Sequence, residues 1–435
     1  MRGGTVPRSS LAFGLALVVL LASLAVLTAV RRPSTVVLLF TGDTQGFLVP
    51  CGCKTVPAGG LARRAGLLGA LREREKPSPV IPVEIGHGFA DRGPAREILN
   101  RALGRFYRQT GTLVGLGSYD LLLGPEALRL AAPGVPLHLA GRKPLPGSRE
   151  ILLGGWGVGS WGRPDGRLRL VFLSESQPDG VPLRPPLEVL EEELAQGSRE
   201  GVLVTGQLST ETVLGILKAH PEILAVVAQW GSQVTSTPQR ANGSWVLWVG
   251  DRGRRAATVV VTRTAGRWEV LPRVDYLGPE TPEDPAVAAE VAETLGQVEA
   301  ENRGALERLT VPAPPGGSYT GASSCAPCHK KAHEVWKRSR HARATEDLAV
   351  DHQTENPDCL RCHATGVGKA GGYPARGLDL AGVQCEACHG PGAGHPPRRL
   401  AVPPLESACT SCHTRRDSPL FDPPAYWLLV QHGAE

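Results

Sequence analysis

The sequence predicts a chain of three parts: an N-terminal transmembrane helix, an α/β layered domain, and a C-terminal domain made mostly of short helices and loops. Three observations lead to this fold class. Residues 11–30 form an uninterrupted apolar run, residues 35–278 alternate β-rich runs with helical stretches, and eight of the ten cysteines follow residue 324. A chain of 435 residues is long enough for two or three domains.

The apolar run at the N-terminus is long enough to cross the hydrocarbon layer of a bilayer, which is about 30 Å thick. Signal-peptide cores are shorter, and the end of this run, LTAVRRP, is a poor cleavage site. We therefore expect residues 1–34 to be an uncleaved signal anchor in the inner membrane rather than a cleaved signal or a buried core helix. Arginines flank the run on both sides, so these charges alone do not decide its orientation.

The second part, residues 35–278, is predicted to be an α/β layered domain because short β-rich runs alternate with stretches of helical or loop character. The predicted strands are residues 35–40, 79–85, 167–173, 201–205, 223–228, 245–250 and 257–263. The predicted helices include residues 61–74, 95–109 and 210–220.

A connecting segment, residues 279–317, is predicted to be an amphipathic helix followed by a linker. Asp284 before Pro285 is typical of an N-cap followed by the first helical residue. Valines and leucines then recur at helical spacing until PAPPGGS, residues 312–318, interrupts the pattern. Periodicity is lost in the last part, residues 318–435.

Four C-x-x-C-H motifs organise this last part: CAPCH, CLRCH, CEACH and CTSCH. The pattern is typical of c-type haem attachment, in which two thiols form thioethers with the porphyrin and the adjacent histidine binds the iron. The attaching cysteines would be Cys325, Cys328, Cys359, Cys362, Cys385, Cys388, Cys409 and Cys412. The proximal iron ligands would be His329, His363, His389 and His413.

Two zinc ribbons are the alternative interpretation of four Cys-x-x-Cys pairs, but zinc ribbons do not need a histidine after every second cysteine. Four covalently bound haem c groups are therefore expected, and these should form most of the core of so short a segment. Because such haems are attached outside the cytoplasm, the chain after residue 32 should be periplasmic or otherwise extracytoplasmic. The net charge of +5 and the lack of a basic, aromatic stripe argue against nucleic acid as a partner.

The context of the motifs resembles a tetrahaem cytochrome c family, the one that includes the electron acceptor of hydroxylamine oxidoreductase. The resemblance covers residues 318–432 and is carried by YTGASSCAPCHKKAHEVWKRSRHARA, CLRCHATGVG, GVQCEACHGPGAGH and YWLLVQH. It implies electron transfer through closely packed haems that are mostly ligated by two histidines. It also implies distal ligands at His341, His395 and His432, whereas His333 and His352 match no family position and stay open between surface residues and ligands.

Residues 36–275 resemble the calcineurin-like metallophosphoesterases, specifically the 5′-nucleotidase branch. The resemblance is carried by the strand before GDTQGFL, and by GGLARRAGLL, EIGHGFADR and GLGSYDLLLG. Such enzymes activate a water molecule with two metal ions held by Asp and His ligands at strand ends. Here Asp43 is kept, but Gln45 replaces the next histidine and His87 stands where the bridging aspartate is expected. GSYD, TGQLS and AQWGSQ likewise lack the expected ligands, so we predict a degenerate, catalytically silent site.

Cys51 and Cys53 lie just after this first strand and cannot form a haem motif. They are expected to be a disulfide or structural pair, although a metal site or a redox couple stays possible.

The sequence thus predicts a membrane-anchored tetrahaem cytochrome that passes electrons between redox partner proteins. Two enzymatic alternatives are kept: reduction of a small nitrogen or sulfur compound at a haem with an open axial position, and hydrolysis in the first domain.

Overall fold

The computed structural model describes residues 34–51, 57–138, 151–152, 156–158, 168–176, 180–195, 200–229, 237–250, 252–398, 400, 404–414, 417–418 and 421–432. Within these ranges no helix has the length and apolar character needed to cross a bilayer. The longest described helix, Pro285–Leu309, carries glutamates and arginines along its length. The predicted fold class was therefore wrong in its first part: the structure supports no transmembrane helix, and residues 11–30, where it was placed, lie outside the described residues. The predicted membrane contact and inner-membrane anchoring lose their support with it.

The described part of residues 34–276 forms two large β-sheets that pack face to face and a separate sheet of two short strands, residues 50–51 and 58–59. The strands are β1 (Ser34–Thr41), β2 (Pro50–Cys51), β3 (Ala58–Gly59), β4 (Val80–Glu84), β5 (Leu113–Gly115), β6 (Leu137–His138), β7 (Ile151–Leu152), β8 (Trp156–Val158), β9 (Leu168–Ser174), β10 (Val202–Gln207), β11 (Ala225–Gln229), β12 (Gln239–Ala241), β13 (Ser244–Val249), β14 (Arg255–Thr264) and β15 (Arg267–Tyr276). The larger sheet has the order β15-β14-β1-β4-β5-β6-β7, and the smaller has β12-β13-β11-β10-β9-β8.

The pairing explains why the strands read as continuous apolar runs in the sequence. β1 runs parallel to β4 and antiparallel to β14, while β10 runs parallel to both β9 and β11. Central strands of this kind are buried on both faces. In β1, Leu38 and Phe40 point into the core between the sheets, whereas Val37 and Leu39 pack under a covering helix.

Helices cover the outer face of each sheet, which gives a four-layer αββα arrangement. The α-helices are α1 (Leu61–Arg74), α2 (Arg96–Thr110), α3 (Gly124–Ala131), α4 (Pro186–Ala195), α5 (Thr210–Ala219), α6 (Pro285–Leu309), α7 (Ala322–Cys325), α8 (Lys330–Arg338), α9 (Ala344–Asp347), α10 (Pro357–His363), α11 (Cys385–His389), α12 (Leu405–Thr410) and α13 (Pro423–Trp427). Helices α1 to α3 lie on the larger sheet and α4 and α5 on the smaller.

The long helix α6 connects the two domains and contacts both. Asp284 is its N-cap, as predicted, and accepts hydrogen bonds from the backbone of Ala286 and Val287 at 3.0 Å each. Its N-terminal half packs against α1 and α2, and Leu306 near its end packs against Leu360 of the second domain. The residue boundaries of the domains themselves stay a prediction.

Candidate functional site

The four C-x-x-C-H motifs all lie on or beside short helices of the second domain. Motif 1 (325–329) follows α7, motif 2 (359–363) ends α10, motif 3 (385–389) forms α11, and motif 4 (409–413) begins in α12. A helical turn suits the motif, because it places both sulfurs and the histidine near one face of one bound group.

Three of the four proximal histidines face a histidine from outside the motifs. The ring centroids of His329 and His395 are 6.1 Å apart, those of His413 and His341 are 6.2 Å apart, and those of His389 and His432 are 5.9 Å apart. The second member of each pair is one of the three histidines that the family resemblance selected.

These distances match the room that one iron atom needs between two imidazoles. An imidazole nitrogen binds a transition metal at about 2 Å, so two rings on opposite sides of one ion have centroids about 6 Å apart. Direct stacking of two rings would need less space, as the 4.5 Å between His413 and Phe421 shows. The residues of the second domain therefore fit axially ligated haem.

Hydrogen bonds at the far ring nitrogen orient several of these imidazoles. Nδ1 of His363 lies 2.7 Å from the carbonyl oxygen of Ala344, and Nδ1 of His395 lies 2.6 Å from that of Arg398. A carbonyl oxygen can only accept, so Nδ1 carries the proton and Nε2 is left to bind a metal.

His363 differs from the other three proximal histidines. Among the described residues, no second imidazole stands opposite its ring at the distance seen in the three pairs. His333 instead lies against Trp336, with 5.4 Å between ring centroids, and His352 is an exposed residue at the end of a 3₁₀ turn.

The attachment cysteines bring the motifs together in a definite order. The two thiols of each pair, Cys325 of motif 1 with Cys385 of motif 3 and Cys362 of motif 2 with Cys412 of motif 4, lie close enough to shift each other's pKa. Cys388 of motif 3 is within electrostatic reach of motif 4. Motif 1 thus lies beside motif 3, motif 3 near motif 4, and motif 4 beside motif 2.

A buried carboxylate inside motif 3, which the sequence analysis did not single out, organises this region. Glu386 is 3% exposed and accepts hydrogen bonds from the backbone N–H groups of Thr320, Gly321 and Gly392 at 2.9, 2.8 and 2.6 Å. Beside it, Gln384 accepts from the N–H of Ala322 at 2.6 Å. These contacts hold residues 320–322, which precede motif 1, against motif 3. They join residues that are far apart in the sequence, so only the fold reveals them.

A second polar cluster lies in the first domain, at the C-terminal ends of the central strands. We call it the remnant site and define it by Asp43, Gln45, His87, Gln207 and Gln229. Asp43 Oδ1 lies 2.9 Å from Nδ1 of His87 and accepts from Nε2 of Gln45 at 2.7 Å. All of these side chains except Gln45 are buried.

Backbone conformation at the remnant site is unusual. Asp43, Gln45 and His87 have φ angles of 56°, 48° and 53°, in the left-handed region that non-glycine residues rarely adopt. Such conformations are kept where surrounding structure enforces them, commonly at ligand-binding positions. The loops thus retain a geometry suited to presenting side chains at one point.

The donor set at the remnant site does not suit two metal ions. Amides from β10 and β11, Gln207 and Gln229, point into it, and neither Nε2 atom has a hydrogen-bond partner in the described part of the chain. Within those same residues no group of three or more His, Cys, Asp or Glu side chains could hold a metal ion. Residues 230–233 of the AQWGSQ stretch, Cys53, and the side chain of Cys51 lie outside what the structure describes.

His87 and Asp43 form a buried, hydrogen-bonded pair, in which the Asp43 carboxylate favours the protonated form of His87. Burial alone would lower the pKa of His87, but its hydrogen bond to Asp43 and the charges of Asp43 and Asp120 raise that pKa overall. The hydrogen bond thus engages the one carboxylate of the remnant site with a protein side chain.

Asp120, from the GSYD stretch, has a structural role that the sequence analysis missed. It accepts hydrogen bonds from the backbone N–H groups of His87, Phe89 and Gly117 at 2.7, 3.0 and 2.8 Å. Complete burial raises the pKa of Asp120 to about 6, although these N–H groups and His87 lower it. The carboxylate holds the loop that follows β4.

Sequence comparison addresses the second domain. Residues 324–390 match the family model described as cytochrome c554 and c-prime. The C-terminal segment resembles cytochrome c554. Cytochrome c-554 of Nitrosomonas europaea is 37% identical over 92 residues, an alignment that covers 17% of this chain and 39% of that protein. The chain therefore matches well under half the length of its cytochrome c554 relative, and the resemblance predicted from the sequence is confirmed for this segment.

Structural comparison addresses the first domain. Sulfate thiohydrolase SoxB from Thermus thermophilus aligns with a TM-score of 0.50 and 14% identity, covering 60% of each chain. The NAD nucleotidase of Haemophilus influenzae aligns with a TM-score of 0.50 and 13% identity, covering 75% of this chain and 70% of that one. A 5′-nucleotidase precursor, also from Thermus thermophilus, gives a TM-score of 0.49 at 20% identity, covering 64% and 61%. At these identities the likeness concerns the fold alone, and the two alignments with a TM-score of 0.50 support the predicted α/β layered fold.

Proposed function

We propose that this chain is an extracytoplasmic c-type cytochrome that transfers electrons through four covalently attached haems, and that its first domain is a catalytically silent scaffold. The observation that carries the proposal is the set of three histidine pairs, each with one motif histidine and a ring separation of 5.9–6.2 Å. Haem c, when bound, supplies a one-electron iron couple.

The residues of the second domain would hold these groups in a fixed order. The eight motif cysteines would attach the porphyrins, and His329, His363, His389 and His413 would each supply one iron ligand. His395, His341 and His432 would supply the second ligand at the sites of His329, His413 and His389 respectively. The cysteine contacts between motifs keep neighbouring sites close together, as electron transfer along a row requires.

The site of His363 is proposed to be the one with an open axial position. Three distal histidines serve four sites, and no described imidazole stands opposite His363. This observation also supports the second candidate function, in which a small nitrogen or sulfur compound binds at that site and is reduced. The spin state of the purified protein separates the two candidates, since a wholly low-spin protein has no vacancy.

Two measurements on the purified full chain test the proposal. Mass spectrometry after acid–acetone extraction should show a covalent mass increment of four haems, and electron paramagnetic resonance should show one high-spin iron per protein. Three or fewer haems in protein from a host with haem-attachment machinery would refute the tetrahaem assignment.

Catalytic silence of the first domain is proposed from the composition of the remnant site. A dimetal hydrolase needs several carboxylate and histidine ligands around two ions, whereas this site offers one carboxylate that is already paired with His87. We expect no hydrolysis of nucleotides or phosphodiesters with added Mn²⁺ or Zn²⁺. Activity that depends on added metal and disappears in Asp43→Ala would overturn this expectation and favour the hydrolase alternative.

A further inference from the structure

The loop that follows β4 reaches from the remnant site to the second domain. Arg92 in this loop forms a two-pronged ion pair with Asp417, in which Nη1 donates to Oδ2 at 3.3 Å and Nη2 donates to Oδ1. Paired forks of this kind fix geometry as well as charge. The contact joins the two domains. It is partly exposed, since 55% of the Arg92 side chain and 37% of the Asp417 side chain are accessible to solvent.

The arginine projects from a loop that the first domain holds firmly. Asn100 pairs with both backbone groups of Ala90, accepting from its N–H at 2.7 Å and donating to its carbonyl at 2.8 Å. Asp120 holds the N–H of Phe89, one residue earlier. The backbone of Arg92 thus follows, by two residues, that of Ala90, which Asn100 holds in place. This restricts the position of the Arg92 guanidinium.

On the other side, Asp417 belongs to the loop that supports a proximal ligand. Thr414, next to His413, donates its hydroxyl to Asp417 Oδ2 at 3.0 Å and accepts from the Asp417 N–H at 3.1 Å. Ser418, the next residue, places its hydroxyl oxygen 2.9 Å from Nδ1 of His413. An ion pair that fixes Asp417 therefore also helps to fix the neighbouring Ser418, whose hydroxyl group orients the imidazole of His413.

The charges of this ion pair act on two attachment motifs at once. Asp417 interacts electrostatically with the sulfurs of Cys362 in motif 2 and Cys412 in motif 4. Arg92 interacts likewise with Cys359 of motif 2. The ion pair thus lies near both the second and the fourth attachment sites.

We propose that Arg92 is a positioning and charge-compensating residue for these two sites, so that the phosphoesterase-like domain helps to set their reduction potentials. The inference rests on the proposed attachment of haem at motifs 2 and 4. A nearby carboxylate stabilises the oxidised, more positive iron, and a guanidinium beside that carboxylate offsets the effect. The silent domain would then contribute to electron transfer without any chemistry of its own.

A redox titration of the haem-loaded full chain, followed by visible absorbance, tests the proposal. Arg92→Gln should shift the potentials of one or two of the four haems downward, and Asp417→Asn should shift them upward. The double variant should return toward the wild-type curve, because neither charge is then left unpaired. Arg92→Lys should shift less than Arg92→Gln, and high salt should reduce every shift, since the pair is partly exposed.

Arg129→Gln is the matched control, because it removes one exposed arginine from α3 of the same domain. Equal shifts in Arg92→Gln and Arg129→Gln, or an Asp417→Asn curve identical to the wild type, would overturn the proposal. Haem content is measured on every sample. If the variants carry four haems and their reduction potentials equal those of the wild type, this inference alone is refuted. A haem count below four in the wild type would instead refute the proposed function. If Arg92→Gln loses haem, Asp417→Asn and Arg92→Lys decide the question.

Discussion

At the scale of single residues, histidine pairs carry most of the functional information. Two imidazoles whose centroids are 5.9–6.2 Å apart gain little from direct contact in the absence of a ligand, because rings that stack come closer, as His413 and Phe421 do at 4.5 Å. Burial lowers the pKa of His341, and His413 and His363 lower it further, so this ring favours its neutral, metal-binding form. Three such pairs with nearly equal spacing indicate sites shaped for one kind of bound ion.

Replacing a distal histidine should therefore change one haem at a time. We predict that His341→Ala, His395→Ala and His432→Ala each add about one high-spin haem per protein, because removal of one axial ligand leaves five-coordinate iron. Electron paramagnetic resonance counts the high-spin component, and His352→Ala is the control because His352 is exposed and faces no motif histidine among the described residues. A spectrum unchanged in His432→Ala would contradict the pairing of His432 with His389.

Some functional residues can be recognised from a short stretch of sequence, whereas others can be recognised only from contacts between residues that are distant in the sequence. The C-x-x-C-H motifs are local patterns, so roles for their cysteines and histidines could be predicted from sequence, and the distal histidines were predicted from family resemblance. Asp120, Glu386 and Arg92 act through partners 31 to 325 residues away, or through several backbone groups that only the fold brings together. No local pattern could have identified them.

At the scale of elements, strong periodicity was the reliable signal. The seven predicted strands and three predicted helices all appear in the structure, with α1 at the same bounds and β1 one residue longer at each end. The sequence analysis missed α4 and the edge strand β15. In β15, exposed and half-buried residues alternate, so no run of apolar residues marks it.

Helix α6 is the element that couples the domains, and its residue Leu306 packs in the apolar cluster of the haem-motif domain. Leu306 is buried against Leu360 of motif 2 and Leu348. Leu306→Ala should lower the free energy of unfolding of the second domain by about 2–4 kcal/mol, through lost burial and a residual cavity. Thermal unfolding of the haem-loaded chain measures the loss, with Leu130→Ala as control because Leu130 is 70% exposed. Equal effects in both variants would show that α6 does not support the second domain.

At the scale of the whole molecule, the two domains differ in what can form their cores. The first domain has a continuous apolar core between two sheets and further clusters under its helices. In the described part of residues 318–432, the buried apolar side chains are few, three alanines and three leucines: Ala322, Ala344, Leu348, Leu360, Ala364 and Leu380. Apolar area of that extent cannot offset the conformational entropy of ordering more than a hundred residues.

Four porphyrins would supply the missing core, so folding of the second domain should depend on haem attachment while the first domain folds without it. We predict that full-length chain produced without haem-attachment machinery keeps slow amide hydrogen exchange in β1, β4, β10 and β11 but exchanges rapidly throughout residues 318–432. The haem-loaded chain should be protected in both regions, which provides the matched comparison. Protection of α10 and α11 in the haem-free chain would contradict this view. It would mean that the contacts of Glu386, and the packing of Leu306 on Leu360, are enough to order the second domain before any haem is attached.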